Sequence, residues 1–246
     1  MPLADSIPRA RGQIRTLLDD TAPAEAPTTY YALFHPAAKS QLYVAQAGGG
    51  KLAGFLAICQ TGMDLFRPLV TLICQTPEVA ADLMAEALVV GRPYIFFAPI
   101  NQLPMVGGSL HIERQTIFQV YVINSARFQP EVNVLVRASR TPEGTPRCEM
   151  RDGERSVAQA GVNWQSPAFA EVYVRTESAA RGRGLGKNVV SCVVGALLKE
   201  GIRAVYLAET SNEASHQLAQ SVGFIDTGSR QVYGEAVYTG HPTRET

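Results

Sequence analysis

Charge of one sign is missing from this chain: its 246 residues carry 22 Lys and Arg against 22 Asp and Glu, a formal net charge of zero. The basic footprint of a protein that works on nucleic acid or on an anionic membrane surface is absent at the level of the whole chain. Long apolar runs are missing as well, since no stretch approaches the roughly eighteen residues needed to span a bilayer. The N-terminal Met1-Pro2-Leu3-Ala4-Asp5 reaches Arg9, Arg11 and Arg15 without the apolar segment of a signal peptide. These absences predict a cytoplasmic protein with no nucleic-acid and no membrane partner. Cysteine is sparse and scattered at Cys59, Cys74, Cys148 and Cys192, with no CxxC pair and no histidine at ligand spacing. Neither a metal site nor a disulfide framework is expected. With 46% hydrophobic residues the chain has ample material for a core, which excludes whole-chain disorder.

What is present reads as two α/β halves. In the first, apolar spacing predicts a helix from about Ser6 to Leu18, ended by the TAPAEAP segment at Thr21 to Pro27. Leu42 to Ala47 and Leu52 to Gln60 read as a hairpin around Gly48-Gly49-Gly50. A strand at Leu69 to Cys74, a helix at Pro77 to Val90 with its proline in the first turn, and a strand at Tyr94 to Ala98 follow. Further β-rich runs are Gln115 to Ile123 and Val132 to Val136. The segment RTPEGTP, Arg140 to Pro146, has no apolar residue and two prolines, the composition of a linker. The expected organisation is therefore a domain over 1–139, a linker over 140–146 and a domain over 147–246. The second half reads β-β-β-α-β-α-β, and the first half echoes that order weakly.

The strongest local signal is Arg181-Gly182-Arg183-Gly184-Leu185-Gly186-Lys187, set between a strand, Ala170 to Thr176, and a helix from about Gly184 to Glu200. Glycines permit backbone conformations closed to other residues and let a ligand approach the N–H groups. The following helix adds unpaired N–H groups and the positive end of its dipole, so the turn suits an anion such as a diphosphate. Leu185, Val189, Cys192, Val193, Ala196 and Leu197 give that helix a continuous apolar face, so its body is core and its N-terminus the site. A nucleotide-hydrolysing loop would need Gly at Arg181 and Ser or Thr at Asn188, and the dinucleotide fingerprint would need its third glycine at Lys187.

The second half instead resembles the GNAT superfamily of acyl-CoA-dependent N-acyltransferases, whose signature is Arg or Gln, two residues, Gly, one residue, then Gly or Ala. Arg181 to Gly186 matches it. Thr210-Ser211-Asn212-Glu213-Ala214-Ser215, with Gln220-Ser221-Val222-Gly223-Phe224 beyond, is similar to the superfamily's second segment. The resemblance covers roughly Arg147 to Tyr238. It implies a mixed, largely antiparallel α/β sheet with flanking helices, with two such units in tandem if the echo in the first half is real.

The resemblance also implies roles. Val174, Arg175 and Thr176 would pair with the pantetheine arm of acetyl-CoA. Its pyrophosphate would sit on Arg181, Gly182, Arg183, Gly184, Leu185 and Gly186, with Lys187 adding charge. Asn212 and Ser215 would contact the cofactor, or Asn212 would simply cap its helix. Glu171 would be the base that removes a proton from the amine, unless it is an exposed strand glutamate, and the Val174 N–H would hold the oxyanion. Where many members carry a tyrosine acid this chain has Ala219, so Tyr206, Tyr233, Ser215 or a water would have to replace it. The activity implied is N-acetyl transfer to a small-molecule or peptide amine. The rival reading is a non-catalytic acyl-CoA-binding or regulatory module. The first half lacks glycines and arginines around Cys74-Gln75-Thr76-Pro77-Glu78-Val79, so one CoA per chain is expected, with that half shaping the acceptor pocket or a homodimer contact. His35, His111, His216 and His241 are scattered and read as structural or surface residues.

Overall fold

The computed structural model describes residues 6–62, 64–131 and 133–240; Met1 to Asp5, Val132 and His241 lie outside them. In chain order the elements are α1 (Ser6–Ile14), α2 (Ala26–Thr29) leading into a π-helical turn (Tyr30–Phe34), β1 (Ser40–Gln46), β2 (Leu52–Cys59), β3 (Leu69–Cys74), α3 (Pro77–Ala87), β4 (Pro93–Pro99), α4 (Leu103–Val106) and β5 (Leu110–Ile123). They continue with β6 (Arg137–Arg140), β7 (Pro146–Asp152), β8 (Arg155–Gln165), β9 (Phe169–Thr176), α5 (Leu185–Lys199), β10 (Arg203–Glu209), α6 (Glu213–Val222) and β11 (Phe224–Tyr238). Among the described residues no helix is long and apolar enough to cross a membrane.

The chain forms two compact units, one from the residues up to Phe118 together with those from Arg230 onward, the other from Gln119 to Ser229. In unit 1 the strand order is β1-β2-β3-β4-β11-β5, using the C-terminal part of β11 and the N-terminal part of β5. All its described pairings are antiparallel except β3 with β4, which the α3 crossover makes parallel. Every residue of β2 is buried, as a strand covered on both faces requires. One face packs Leu56, Val70, Leu72 and Phe96 against Leu83 and Met84 of α3, and on the other Phe55 meets Ile14 of α1 and Leu33.

Unit 2 has the order β11-β5-β10-β9-β8-β7-β6, from the remaining parts of β11 and β5. Its one described parallel pair is β9 with β10, joined by the α5 crossover. The β6–β7–β8–β9 run is antiparallel. Val189, Val193 and Leu197 of α5 and Ala219 and Val222 of α6 pack on Ala160, Ala170, Val172 and Ala204 of the sheet. Burying each large aliphatic side chain there contributes about 1.5–3 kcal/mol. Hairpin, strand, helix, strand is thus the order of both units.

Several expectations change. The segment Arg140 to Pro146 is no linker but the turn of the β6–β7 hairpin, with Thr141 N–H donating to the Thr145 carbonyl at 2.9 Å and Gly144 at a φ of 86°. Prolines and a glycine without apolar residues make a hairpin turn as readily as a linker. The units divide inside β5 and β11, within continuous strands rather than at a linker. The run Val132 to Val136 contributes no strand among its described residues: Val134 and Leu135 form a turn whose Leu135 N–H donates to Asn133 Oδ1. The last β run is one long strand, β11, from Phe224 to Tyr238. Finally, Cys148 on β7 and Cys192 on α5 are joined as a disulfide, which their separation of 44 residues concealed. Cys59 and Cys74 are free and buried, and burial pushes each thiol up to about 12.

Candidate active site

The strands β9 and β10 hold the candidate site between them. Their parallel pairing runs through Arg203 with Phe169, Ala204 with Ala170 and Val205 with Glu171, and stops there. Yet β9 continues to Thr176 and β10 to Glu209, so the two strands diverge. The other edge of β9 stays paired with β8 through Ala160 with Val174 and Ala158 with Thr176. Glu177 N–H donates to the Val157 carbonyl. Strand alternation then turns the N–H groups of Val174 and Thr176 the other way, into the divergence, and that of Arg175 toward β8. Of the three positions read as a pantetheine-pairing edge, two face the cleft and Arg175 does not.

The cleft leads to the glycine turn. Gly182 and Gly184 adopt φ angles of 73° and 74°, a left-handed backbone that side chains rarely tolerate, and a Cβ at either would meet no other atom. These two glycines are required by conformation. Gly186 is required by packing, because its Cβ would lie 2.9 Å from Leu218 Cδ1 and 3.3 Å from Thr176 Oγ1. Helix α5 starts at the Gly184 cap without a side chain to satisfy its first N–H groups. Those of Leu185, Gly186 and Lys187 have no partner within the helix and form an anion-ready cradle.

The three cations around this cradle are not equivalent. Arg183 is exposed and makes no ion pair among the described residues. Arg181 lies across the end of β9, its Nε donating to the Thr176 carbonyl at 3.3 Å. Lys187 is ion-paired with Glu131. The sequence pattern treated them as one cluster, whereas the fold leaves Arg183 the freest.

Glu171 sits where the β9–β10 pairing ends. It is half-buried, and desolvation raises its carboxyl above the usual glutamate range, while a hydrogen bond from Asn163 acts in the opposite sense. Asn163 Nδ2 donates to Glu171 Oε1 at 2.9 Å. Asn163 reaches it because the β8–β9 register shifts between Val162 and Trp164, leaving Asn163 as the extra residue of a bulge. Along β9, Ala170, Val172 and Val174 face the core under α5, so alternation places Glu171 and Tyr173 on the opposite face. Tyr173 lies over Gly161, where a Cβ would be 2.8 Å from its Oη, and accepts from Gln159 Nε2 at 2.6 Å.

On the α6 side, Asn212 Oδ1 accepts from the Ser215 N–H at 3.1 Å, so Asn212 is the N-cap of the helix. Ser215 Oγ is 2.7 Å from Tyr206 Oη. Burial pushes the Tyr206 phenol up, the hydrogen bond with Ser215 acts against this, and the Glu171 charge adds to it. Ala219 is fully buried. Tyr233 belongs to unit 1, where its ring meets Phe118 edge-on at 6.3 Å.

His216 also has structure the sequence did not reveal. Its Nε2 lies 3.3 Å from the Thr210 carbonyl, which can only accept, so Nε2 carries the proton. Nδ1 then accepts from Tyr121 Oη at 2.9 Å, and that oxygen accepts from Gln119 Nε2 at 2.8 Å. This relay fastens α6 to β5. A cavity of about 490 Å³ near the C-terminal end of α6, bounded by Gln119, Tyr121 and Gln220, includes no residue of β9.

Residues 120–224 match the family described as Acetyltransferase (GNAT) family. Unit 2 contains a GNAT domain. Solved structures agree over the whole chain at the level of fold. An acetyltransferase from the GNAT family of Colwellia psychrerythraea is 12% identical, with 96% of this chain and 97% of that one covered and a TM-score of 0.58. A Drosophila protein is 12% identical over 96% and 97%, with a TM-score of 0.66. A tandem GNAT protein from the clavulanic acid biosynthesis pathway is 12% identical over 98% of each chain, with a TM-score of 0.59. No curated protein matches the sequence significantly. The fold is thus a tandem of GNAT-like α/β units, each with a largely antiparallel sheet and flanking helices.

The unit 1 counterpart of the GNAT domain's cleft is closed by its own residues. Described pairing of β3 with β4 covers Leu69 with Ile95 and Val70 with Phe96. Beyond it, the Cys74 N–H donates to Oε1 of the buried Gln102 at 2.8 Å. At the start of α3, Thr76 Oγ1 accepts from Val79 N–H and Pro77 has no N–H to offer. Side chains of unit 1 thus occupy the Cys74 and Val79 donors.

Proposed function

We propose that unit 2 is an acetyl-CoA-dependent N-acetyltransferase acting on the amine of a small molecule or peptide. The observation that carries this reading is the divergence of β9 from β10 directly above an uncapped, glycine-led helix N-terminus. A strand edge with free N–H groups suits an amide-bearing arm such as pantetheine, and the cradle suits a diphosphate. In this reading Val174 and Thr176 pair with the arm, and Arg175 lines the strand from its β8 side. Arg181, Gly182, Arg183, Gly184, Leu185 and Gly186 hold the pyrophosphate. Lys187 adds positive charge near the cradle that its pair with Glu131 partly offsets, and Asn212 and Ser215 border the arm from α6.

The chemistry follows from the same geometry. Glu171, held by Asn163 and raised by desolvation, takes a proton from the attacking amine. The Val174 N–H, directed into the cleft, stabilises the oxyanion formed at the thioester carbon. Acetyl-CoA is a co-substrate, and the proposed reaction uses no metal. A cytoplasmic enzyme remains the proposed setting, with the Cys148–Cys192 bond as the feature a reducing compartment would open.

The test is direct. Purified protein mixed with acetyl-CoA and a panel of small amines and peptides is expected to release CoA thiol. Tight CoA binding with no thiol release from any amine would instead support a binding or regulatory module.

A further inference from the structure

Unit 2 lacks the tyrosine that many GNAT enzymes carry at the position of Ala219, yet it places a phenol beside that helical stripe from a different element. Ala219 is one turn along α6 from Ser215, on the same face. Helical side chains lean toward the N-terminus and cover the preceding turn, so a tyrosine at 219 would bring its hydroxyl over Ser215. Tyr206 Oη reaches Ser215 from β10 instead, at 2.7 Å. Its ring is fixed against Phe224, 5.7 Å away between centroids. Tyr206 is also the first residue of β10 beyond the last pair with β9, Val205 with Glu171, and so stands where the cleft opens.

We propose that Tyr206 is the general acid of the transfer, taking the place of the missing α6 tyrosine, with Ser215 as the residue that positions its hydroxyl. This rests on the transferase reading above. The amine nitrogen attacks the thioester carbon, a C–N bond forms, and the carbonyl electron pair moves to the oxygen held by Val174. As the oxyanion collapses the C–S bond breaks and its electron pair goes to sulfur. Tyr206 Oη gives its proton to that sulfur, yielding CoA thiol. Ser215 Oγ–H donates to the resulting phenolate until solvent returns a proton, matching the one released from the amine through Glu171. Ser215 from α6 hydrogen-bonds the phenol and the apolar Phe224 from β11 packs on its ring, while the Glu171 charge on β9 acts on it electrostatically. The carboxylate disfavours the phenolate and Ser215 favours it.

Tyr206→Phe keeps the ring packing and removes the proton. We expect kcat to fall about 10²- to 10⁴-fold, KM for acetyl-CoA to change less than about twofold, and the alkaline limb of the kcat profile to disappear. Ser215→Ala, which leaves the phenol in place, should move that limb to higher pH, because a hydrogen bond that favours the phenolate is lost. A purely structural Tyr206 would lower the melting temperature and leave the limb where it is. An active wild type whose Tyr206→Phe variant keeps both kcat and the limb, or whose Ser215→Ala variant leaves the limb unmoved, overturns this assignment alone. A wild type that binds CoA but releases no thiol overturns the transferase reading and this assignment with it.

Discussion

Lys187 on the first turn of α5 is ion-paired with Glu131, and the Glu131 N–H donates to Ser191 Oγ one turn further along the same helix at 3.0 Å. The lysine nearest the anion cradle is therefore already partnered. Glu131→Gln should free it and tighten CoA binding at low salt, by no more than about fivefold given the small worth of exposed pairs. Arg183→Ala should weaken CoA binding more than Lys187→Ala does. Titration calorimetry at two ionic strengths measures both, and an equal loss from the two alanine variants would contradict the ranking.

The glycines of the turn should separate into two kinds. Gly184→Ala puts a side chain into a left-handed backbone with free space around it, at a cost of about 1–2 kcal/mol. Gly186→Ala drives a Cβ to within 2.9 Å of Leu218 Cδ1, where the leucine side chain must shift out of its packed position. Adding Leu218→Ala should recover the stability of Gly186→Ala and do nothing for Gly184→Ala. Thermal melts of the four variants decide it.

These distinctions mark how far the sequence could be read. Arg181 to Gly186 and Asn212 to Phe224 were legible because each motif is contiguous and its glycines and cap act locally. The end of β9–β10 pairing at Glu171 was not, since it depends on register between residues more than thirty apart. Asn163 was invisible for a similar reason: only a bulge brings it onto Glu171. Ala219 could be read as a missing acid, but the 2.7 Å approach of Tyr206 to Ser215 needs β10 and α6 in place. The unit boundary inside β5 carries no turn residue, and the one inside β11 follows Asp226-Thr227-Gly228-Ser229, turn residues that a single continuous strand takes up.

Glu171 links stability to activity. Its carboxyl is raised in the folded protein, chiefly by desolvation, so the native state holds this proton more tightly than the unfolded chain does. Between the unfolded and the folded value, stability then falls as pH rises. Glu171→Gln keeps an oxygen for Asn163 and removes the charge. It is expected to raise the melting temperature at neutral pH and to cut kcat by about 10²- to 10⁴-fold. A variant less stable than the wild type at neutral pH would show that the carboxylate is not strained there.

The Cys148–Cys192 bond closes a stretch of 44 residues that runs from β7 to the cofactor helix α5. On a chain-entropy basis such a link is worth roughly 4 kcal/mol. Reductant should therefore lower the melting temperature of the wild type and leave a Cys148→Ser, Cys192→Ser variant unaffected. Mass spectrometry after thiol alkylation reports the fraction bonded, and a melting temperature indifferent to reductant would remove the bond from the account of stability.

Unit 1 should bind no CoA, because its equivalent cleft is closed by Gln102 on the Cys74 N–H and its helix start is closed by Thr76 and Pro77. Wild-type titrations are then expected to saturate at one CoA per chain. Replacing the plug does not open a second site. Gln102→Leu leaves the Cys74 N–H buried without an acceptor, which costs about 1–3 kcal/mol, while the missing glycine turn still denies a diphosphate its cradle. The expected outcome is a lower melting temperature with the stoichiometry still at one. Two sites in the wild type would mean that the donors in unit 1 exchange their side-chain partners for ligand, and a second site appearing only in Gln102→Leu would mean that the plug alone had kept it shut.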